Sequence, residues 1–515
     1  MGKVTLIRPM SLIPTWSDSG PITPPLGVAY LAASLREAGH GVKVIDAVGE
    51  SPFQISSLFN GIMTAIGLTR EQIVERIDPT TEVVGVSCMF SQDWPEVRQL
   101  INLVRDRFPK VKIVVGGEHI TAVREFTLQS CPAVDCCVLG EGDEALVEIV
   151  NAFDNGTSLE TVLGVMFRDS GDGFHFTGPR ARIRQVDEIP LPAWDLMPIE
   201  TYLDHGLSFG VNRGRSMPIL ATRGCPFQCT FCSNPQMWNS RWIPRDPVKV
   251  LDEIELYIRQ YGAVNIDFYD LTAIVKRQWV IDFTHLILAR GLKFTWQLPS
   301  GTRSEAIDDE VTRLLYQTGC RNLAYSPESG SPEVLKRIKK RVKLDHMDRS
   351  IRSSLRSGLN LKLNIVVGFP DETRWELWKT IRYLAKVGAM GVHDVSVSMF
   401  SPYPGSELYY RLRAQGTIPE LSDEFFLSTL ASYKDFSKSL SFANGIGSRE
   451  LLFYRVMGML VFYAAQYTLR PWRLVAMISN FIRKKQESRL DKSLQDLVMR
   501  VRGYRARARK PERQA

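Results

Sequence analysis

Three cysteines carry the clearest chemical signal in the chain. They stand in Thr222-Arg223-Gly224-Cys225-Pro226-Phe227-Gln228-Cys229-Thr230-Phe231-Cys232, separated by three and then by two residues. Thiolates are soft ligands, suited to zinc or to iron–sulfur centres. A structural zinc site closes with a fourth Cys or His, and none is near: the flanking histidines are His205 and His285. On a [4Fe–4S] cluster, three thiolates leave one iron open to a further ligand. Zinc and a coincidental grouping of buried cysteines remain the alternatives. The other five cysteines (Cys88, Cys131, Cys136, Cys137 and Cys320) lie in apolar stretches and read as small core side chains.

Such a loop needs rigid support, and the surrounding pattern supplies it. Strand patterns at Ile219–Thr222, Val264–Phe268, Lys293–Gln297, Asn322–Tyr325, Lys362–Val367 and Asp394–Ser398 alternate with helical ones at Pro247–Tyr261, Lys276–Ala289, Asp308–Gln317, Asp345–Ser357 and Thr373–Val387. Six such units predict a partial (β/α)6 barrel over 216–410, with its site on the loops after the strands. A second α/β unit is predicted over 1–155. Its strands are Val4–Ile7, Val42–Ile45, Val83–Ser87, Lys112–Val115 and Val134–Val138, and its helices include Leu26–Leu35, Trp94–Arg107 and Glu144–Phe153. That pattern is a doubly wound parallel sheet, whose ligands lie beyond the carboxyl ends of the strands. Arg8-Pro9, Ser87 to Asp93 and Gly116-Gly117-Glu118-His119 fall there, and the glycine pair lets backbone approach a ligand closely. Residues 156–215, richer in Pro, Gly and Asp, predict a linker packed across the junction. Residues 411–515 predict a helical region with a basic tail.

The 515 residues, 44% hydrophobic and 23% charged, describe a globular chain of several domains and exclude a wholly disordered or fibrous one. No apolar run reaches the roughly 18 residues of a membrane span; the longest candidate is Val456 to Leu469. The start lacks a secretory pattern, so the cytosol, where thiols stay reduced, is expected. The net charge of +8 is confined to the end. Residues 470–515 hold 14 Lys+Arg against 4 Asp+Glu, leaving −2 on the first 469. A nucleic-acid enzyme would spread positive charge along its groove, so no nucleic acid is expected. A basic tail beside apolar helices suits an anionic membrane surface; a solvated tail and an ordinary core helix are equally open.

The cysteine spacing, with Phe231 before the last Cys and the strand–helix setting, resembles the radical S-adenosylmethionine superfamily. The resemblance implies a [4Fe–4S] cluster on Cys225, Cys229 and Cys232, whose open iron takes S-adenosylmethionine and cleaves it to a 5′-deoxyadenosyl radical. Residues after successive strands match the family's contacts. Tyr269 and Asp270 stand where the amino group is held, although Leu271 replaces a common second acid. The resemblance implies that Arg303 would face the methionine carboxylate and Glu328 and Ser329 the ribose, and that Gly368 stands in a turn similar to the family's adenine-side turn. For Ser331, a helix cap is the simpler reading.

The first half resembles the cobalamin-binding domain fused to many of these enzymes. The match rests on Thr23 to Ala32, Gly39-His40, Val44 to Ala47, Val115 to Thr121 and Leu139-Gly140-Glu141-Gly142-Asp143-Glu144. It implies cobalamin held by backbone around Ser87, Gly116, Gly117 and Glu141. The DxHxxG motif is absent, because Asp46-Ala47-Val48-Gly49 stands in its place, and His119 is a poor substitute. His-off cobalamin is therefore expected. The group most similar is that of the anaerobic magnesium-protoporphyrin monomethyl ester cyclase and the class B methylases. Methyl transfer to an unactivated carbon of a lipid, isoprenoid or tetrapyrrole-like substrate is the expected reaction. Oxidative cyclisation or C–C coupling is the alternative, and a non-catalytic cobalamin sensor the rival of another class. Reduced flavodoxin or ferredoxin is the implied electron donor.

Overall fold

The computed structural model describes residues 2–15, 22–169, 173–430, 440–488, 490–495 and 498. Seven strands build the N-terminal sheet: β1 (Lys3–Arg8), β2 (Gly41–Asp46), β3 (Val83–Ser87), β4 (Lys112–Gly116), β5 (Cys136–Val138), β6 (Val165–Arg168) and β7 (Phe174–Phe176). Their order is β7-β6-β5-β4-β3-β1-β2. The first five are parallel, while β6 and β7 join antiparallel. The parallel strands are apolar on both faces because helices Leu26–Glu37 and Ala145–Asn155 cover one side and Trp94–Arg107 the other.

The sheet runs on to Phe176, beyond the 155 at which composition places the linker. These two strands are short and sit in a polar stretch, so no periodicity marks them. A separate three-stranded antiparallel sheet of Ser11–Pro14, Met63–Ile66 and Ile55–Leu58 was also without a sequence signal. Beyond β7 the chain touches elements of both α/β units. The Ala193 amide donates to the Ala29 carbonyl at 3.0 Å, and the Trp194 indole donates to the Tyr257 hydroxyl at 3.0 Å.

Six parallel strands form the second sheet in sequential order: β8 (Ser216–Ile219), β9 (Asn265–Phe268), β10 (Thr295–Thr302), β11 (Cys320–Glu328), β12 (Asn360–Val367) and β13 (Asp394–Met399). This is the open barrel that six strand–helix units predict. The first strand ends at Ile219, three residues early. Thr222–Arg223 instead pairs antiparallel with Ile243–Pro244, so the cysteine loop springs from a small hairpin. Capping fixes several helix starts. Thr373 and Glu376 form a capping box on Arg374–Met390, and Ser331 caps Pro332–Arg337 through the Val334 amide.

Helix Ser448–Leu469 backs the last strand and is not a free segment. The Arg455 guanidinium donates to the Val397 carbonyl at 3.0 Å, and the Tyr463 hydroxyl to the Asp394 carboxylate at 2.8 Å. It crosses Arg374–Met390 closely: a side chain at Gly388 would come 2.5 Å from the Phe462 carbonyl. No helix among the described residues is long and apolar enough to cross a membrane. The basic tail from 499 onward lies outside the described residues.

Candidate functional site

The carboxyl ends of the two sheets face one another across a cavity of ≈ 500 Å³. The N-terminal domain lines it with the loops after β1, β3, β4 and β5, and the barrel with residues from Leu220 to Gly224, Tyr269 and Ser300. Of the residues that sequence assigned to cobalamin, Ser87, Gly116, Gly117 and Glu141 all reach it, with Met89, Phe90 and Asp93 beside Ser87. Gly117 has φ of +120°, and a Cβ there would collide with the Cys88 carbonyl. The chain can follow this path only with glycine.

No histidine is among the described lining residues. His119 is buried behind the wall. Its Nδ1 bonds Ser91 Oγ at 2.9 Å, and its ring packs on Trp94 and Phe426. Burial pushes it down to about 3, so the ring is neutral. Asp46, at the position of the missing motif, caps the next turn through the Gly49 amide and accepts from the Tyr202 hydroxyl at 2.7 Å.

Four charged side chains tie this wall to the cysteine loop. Arg182 Nε donates to Glu141 at 2.6 Å, and Arg223 forks onto Asp143 at 2.8 and 3.0 Å and reaches Glu141 at 3.3 Å. All four are buried. The charges cancel, so the cavity wall carries ions without net charge. Arg182 sits in the linker and had no sequence signal; its carboxylate partner Glu141 lay in a recognisable motif, Leu139 to Glu144. Next comes Gly224 with φ of +81°, where a Cβ would strike the Arg241 carbonyl. Cys225, Cys229 and Cys232 follow as half-buried free thiols. Burial raises all three, Cys232 to about 12, against the opposing pull of Lys340 and Arg303 on the first two. Among the described residues no three Cys, His, Asp or Glu side chains converge on the position of one ion. Three soft donors on one loop beside two cations fit an anionic iron–sulfur cluster.

The other predicted contacts divide. Tyr269 lines the cavity, its hydroxyl accepting from the Phe209 amide at 3.3 Å. Asp270 does not line it. Its carboxylate accepts from Thr222 Oγ1 at 2.6 Å and the Ala221 amide at 3.2 Å, and burial pushes it up to about 6. Arg303 stacks on Phe227 of the cysteine loop, 3.9 Å from the ring centre, and binds Glu305 and the carbonyls of Lys340 and Arg341. Glu328, in the left-handed region at φ +67°, pairs with buried Lys340 at 2.7 Å. Ser329 is buried against Thr380, and the Gly368 amide donates to Glu372 at 2.6 Å. Lys340 was missed; the run Lys339-Lys340-Arg341 was its only trace in sequence.

Comparison with known proteins names this assembly. The B12 binding domain model matches residues 16–150, and the Radical SAM superfamily model matches 219–384. An uncharacterized methyltransferase of Pyrococcus horikoshii is 30% identical over 410 residues, 79% of this chain and 82% of that protein. The chain belongs to the cobalamin-dependent radical SAM enzymes. Members of this family work with a [4Fe–4S] cluster, S-adenosylmethionine and cobalamin, and need a reductant. A second relative, the anaerobic magnesium-protoporphyrin IX monomethyl ester cyclase of Cereibacter sphaeroides, is 25% identical over 87% of this chain and 69% of its own. The fold is that of TsrM, a radical S-adenosylmethionine methyltransferase from Kitasatospora setae. Its structure holds cobalamin and a [4Fe–4S] cluster, at TM-score 0.62 and 17% identity over 81% of this chain and 75% of that one.

Proposed function

We propose that this radical SAM enzyme methylates an unactivated carbon of a hydrophobic lipid, isoprenoid or tetrapyrrole-like molecule in the cavity between its two sheets. The observation that carries the reading is that single cavity, which runs from Ser87, Gly116 and Gly117 to Gly224, the residue before the first cluster thiol. When bound, the three cofactors supply reductive cleavage of a sulfonium and a transferable methyl group. The chain's own residues position and shield. Cys225, Cys229 and Cys232 would hold the cluster, and the amides and carbonyls of the glycine loops would hold the corrinoid. Tyr269 presents its ring to the S-adenosylmethionine side. Asp270 and Arg303 act through the loop: one anchors the hairpin that starts it, and the other clamps Phe227 within it. Glu328 keeps Lys340 next to the thiols. Ser329 and Gly368 shape the turns behind. Leu6, Leu26, Val86, Val114 and Val138 give the cavity an apolar wall, which favours a hydrophobic substrate and excludes water.

Delivery from a lipid surface accords with the C-terminal helix Pro471–Arg483. Trp472, Val475 and Ile482 are 60%, 66% and 74% exposed, and Arg483, Lys484 and Lys485 follow. Radical cyclisation is the second reading, favoured by the similarity to the cyclase. Anaerobic loading with iron, sulfide and hydroxocobalamin tests the proposal. Wild type is expected to retain iron and corrinoid, release deoxyadenosine and pass a deuterated methyl from S-adenosylmethionine into an apolar extract. Cys225→Ala is expected to lose the iron. Deoxyadenosine without methyl transfer, with substrate dehydrogenation, would select cyclisation.

A further inference from the structure

On the outer side of the cysteine loop lies an open groove of ≈ 1060 Å³. Its lining includes seven Lys or Arg and a single acid, Asp345. Lys339, Lys379 and Lys386 are neutralised by Glu407, Glu333 and Asp348. Lys336, Arg341, Lys343 and Arg382 are exposed and make no ion pair among the described residues. The patch is not a sample of general basicity, since the first 469 residues sum to −2.

The groove and the loop share a wall one residue thick. Lys339 lines the groove, and its carbonyl meets Cys229 Sγ at 4.0 Å. The neighbouring Ile338 carbonyl accepts from the Thr230 amide at 3.1 Å. Lys339 and Arg341 both take the left-handed conformation, at φ +53° and +52°. Side chains resist that region, and it persists where the surroundings impose it. Here it turns Lys340 inward to Glu328 and leaves Lys339 and Arg341 on the groove.

We infer that this groove is the docking surface for an acidic protein that carries single electrons. The inference rests on the cysteine loop holding a reducible cluster. Unpaired cations around a concave surface attract a partner of opposite charge and orient it. A carrier seated there would stand closest to Cys229 through the Lys339 peptide. The transfer moves one electron: the carrier is oxidised by one, the metal centre of the loop is reduced by one, and no proton or atom moves. The apolar cavity stays closed to the carrier, so electrons and substrate enter on opposite sides of the loop.

Binding of oxidised flavodoxin to the loaded full-length enzyme tests this without turnover. Lys336→Glu/Lys343→Glu/Arg382→Glu changes three exposed, unpaired side chains, and the Lys336→Gln/Lys343→Gln/Arg382→Gln set guards against misfolding by reversal. Wild type is expected to bind about tenfold more weakly at 300 mM salt than at 50 mM, as the Debye length shrinks from roughly 14 to 6 Å. The reversed triple is expected to lose about tenfold or more in affinity and most of its salt dependence. Deoxyadenosine formation driven by reduced flavodoxin should fall in parallel, while formation driven by dithionite stays at the wild-type rate. Equal flavodoxin affinity and equal flavodoxin-driven rates in wild type and both triples would overturn the docking surface. If wild type makes no deoxyadenosine with dithionite either, the proposed chemistry fails, and the binding series still decides the surface.

Discussion

The two sides of the cysteine loop are built oppositely. Inward, Arg182, Glu141, Arg223 and Asp143 bury four charges in mutual pairs, and the rest of the wall is largely apolar. Outward, Lys336, Arg341, Lys343 and Arg382 stand exposed and unpaired among the described residues. Charge in a dry wall must be cancelled where it stands, because desolvation of a lone ion costs several kcal/mol. Charge in water costs little and can wait for a partner. The inner side is therefore suited to hold and hide reactive groups, and the outer side to meet another macromolecule.

The sharpest way to break this contrast is at Gly117. Gly117→Ala forces a side chain against the Cys88 carbonyl at positive φ, at a cost above about 3 kcal/mol. Corrinoid binding, followed by its visible spectrum, is expected to vanish; unchanged binding would place the corrinoid elsewhere. Arg182→Met tests the cancelled wall. It leaves Glu141 the Ile183 amide at 3.0 Å and, as its cation, Arg223 at 3.3 Å, and breaking a buried pair costs about 3–5 kcal/mol. Denaturant unfolding should show that loss, while the same change at exposed Lys336 should be nearly silent.

A third test uses pH. Glu372, buried and bound to the Gly368 and Phe369 amides, is pushed up to about 7 by burial. The folded state then holds a proton that the unfolded state releases near 4.5. Between these values the unfolded state binds fewer protons, so stability falls as pH rises, by up to about 3 kcal/mol in all. Glu372→Gln is expected to flatten that slope in thermal melts between pH 5 and 8; an unchanged slope would assign it to other groups, Asp270 first. The smallest effect is expected at the C-terminal helix. Trp472→Ser/Ile482→Ser should change stability by less than about 0.5 kcal/mol yet reduce co-sedimentation with anionic liposomes. Equal co-sedimentation would remove the lipid-surface reading and leave the cavity untouched.

Much of the architecture was legible because it is written in short-range patterns. Apolar runs separated by amphipathic helices specify parallel sheets, and both sheets formed. The cysteine spacing and the glycine pairs also stood out, since metal ligation and positive φ admit few residue types. Less legible were the short strands Val165–Arg168 and Phe174–Phe176, which lack any period of their own and form only because an edge of the sheet is free to pair. The residues after the barrel strands turn in different directions. Tyr269 faces the cavity, but Asp270, Arg303 and Glu328 spend their charges on Thr222, Glu305 and Lys340. A strand's end places a residue near a site without setting which way its side chain turns.

The amino-acid order alone determined the two α/β units and the thiol triad, because each depends on neighbours along the chain. Only the folded chain decided that Arg182 from the linker joins Glu141 beside Arg223, that Ser448–Leu469 backs the last strand, and that Lys339, on a groove with other lysines, meets Cys229. Those relations join residues dozens to hundreds of positions apart, and they exist only once burial has made pairing the cheaper state for a charge.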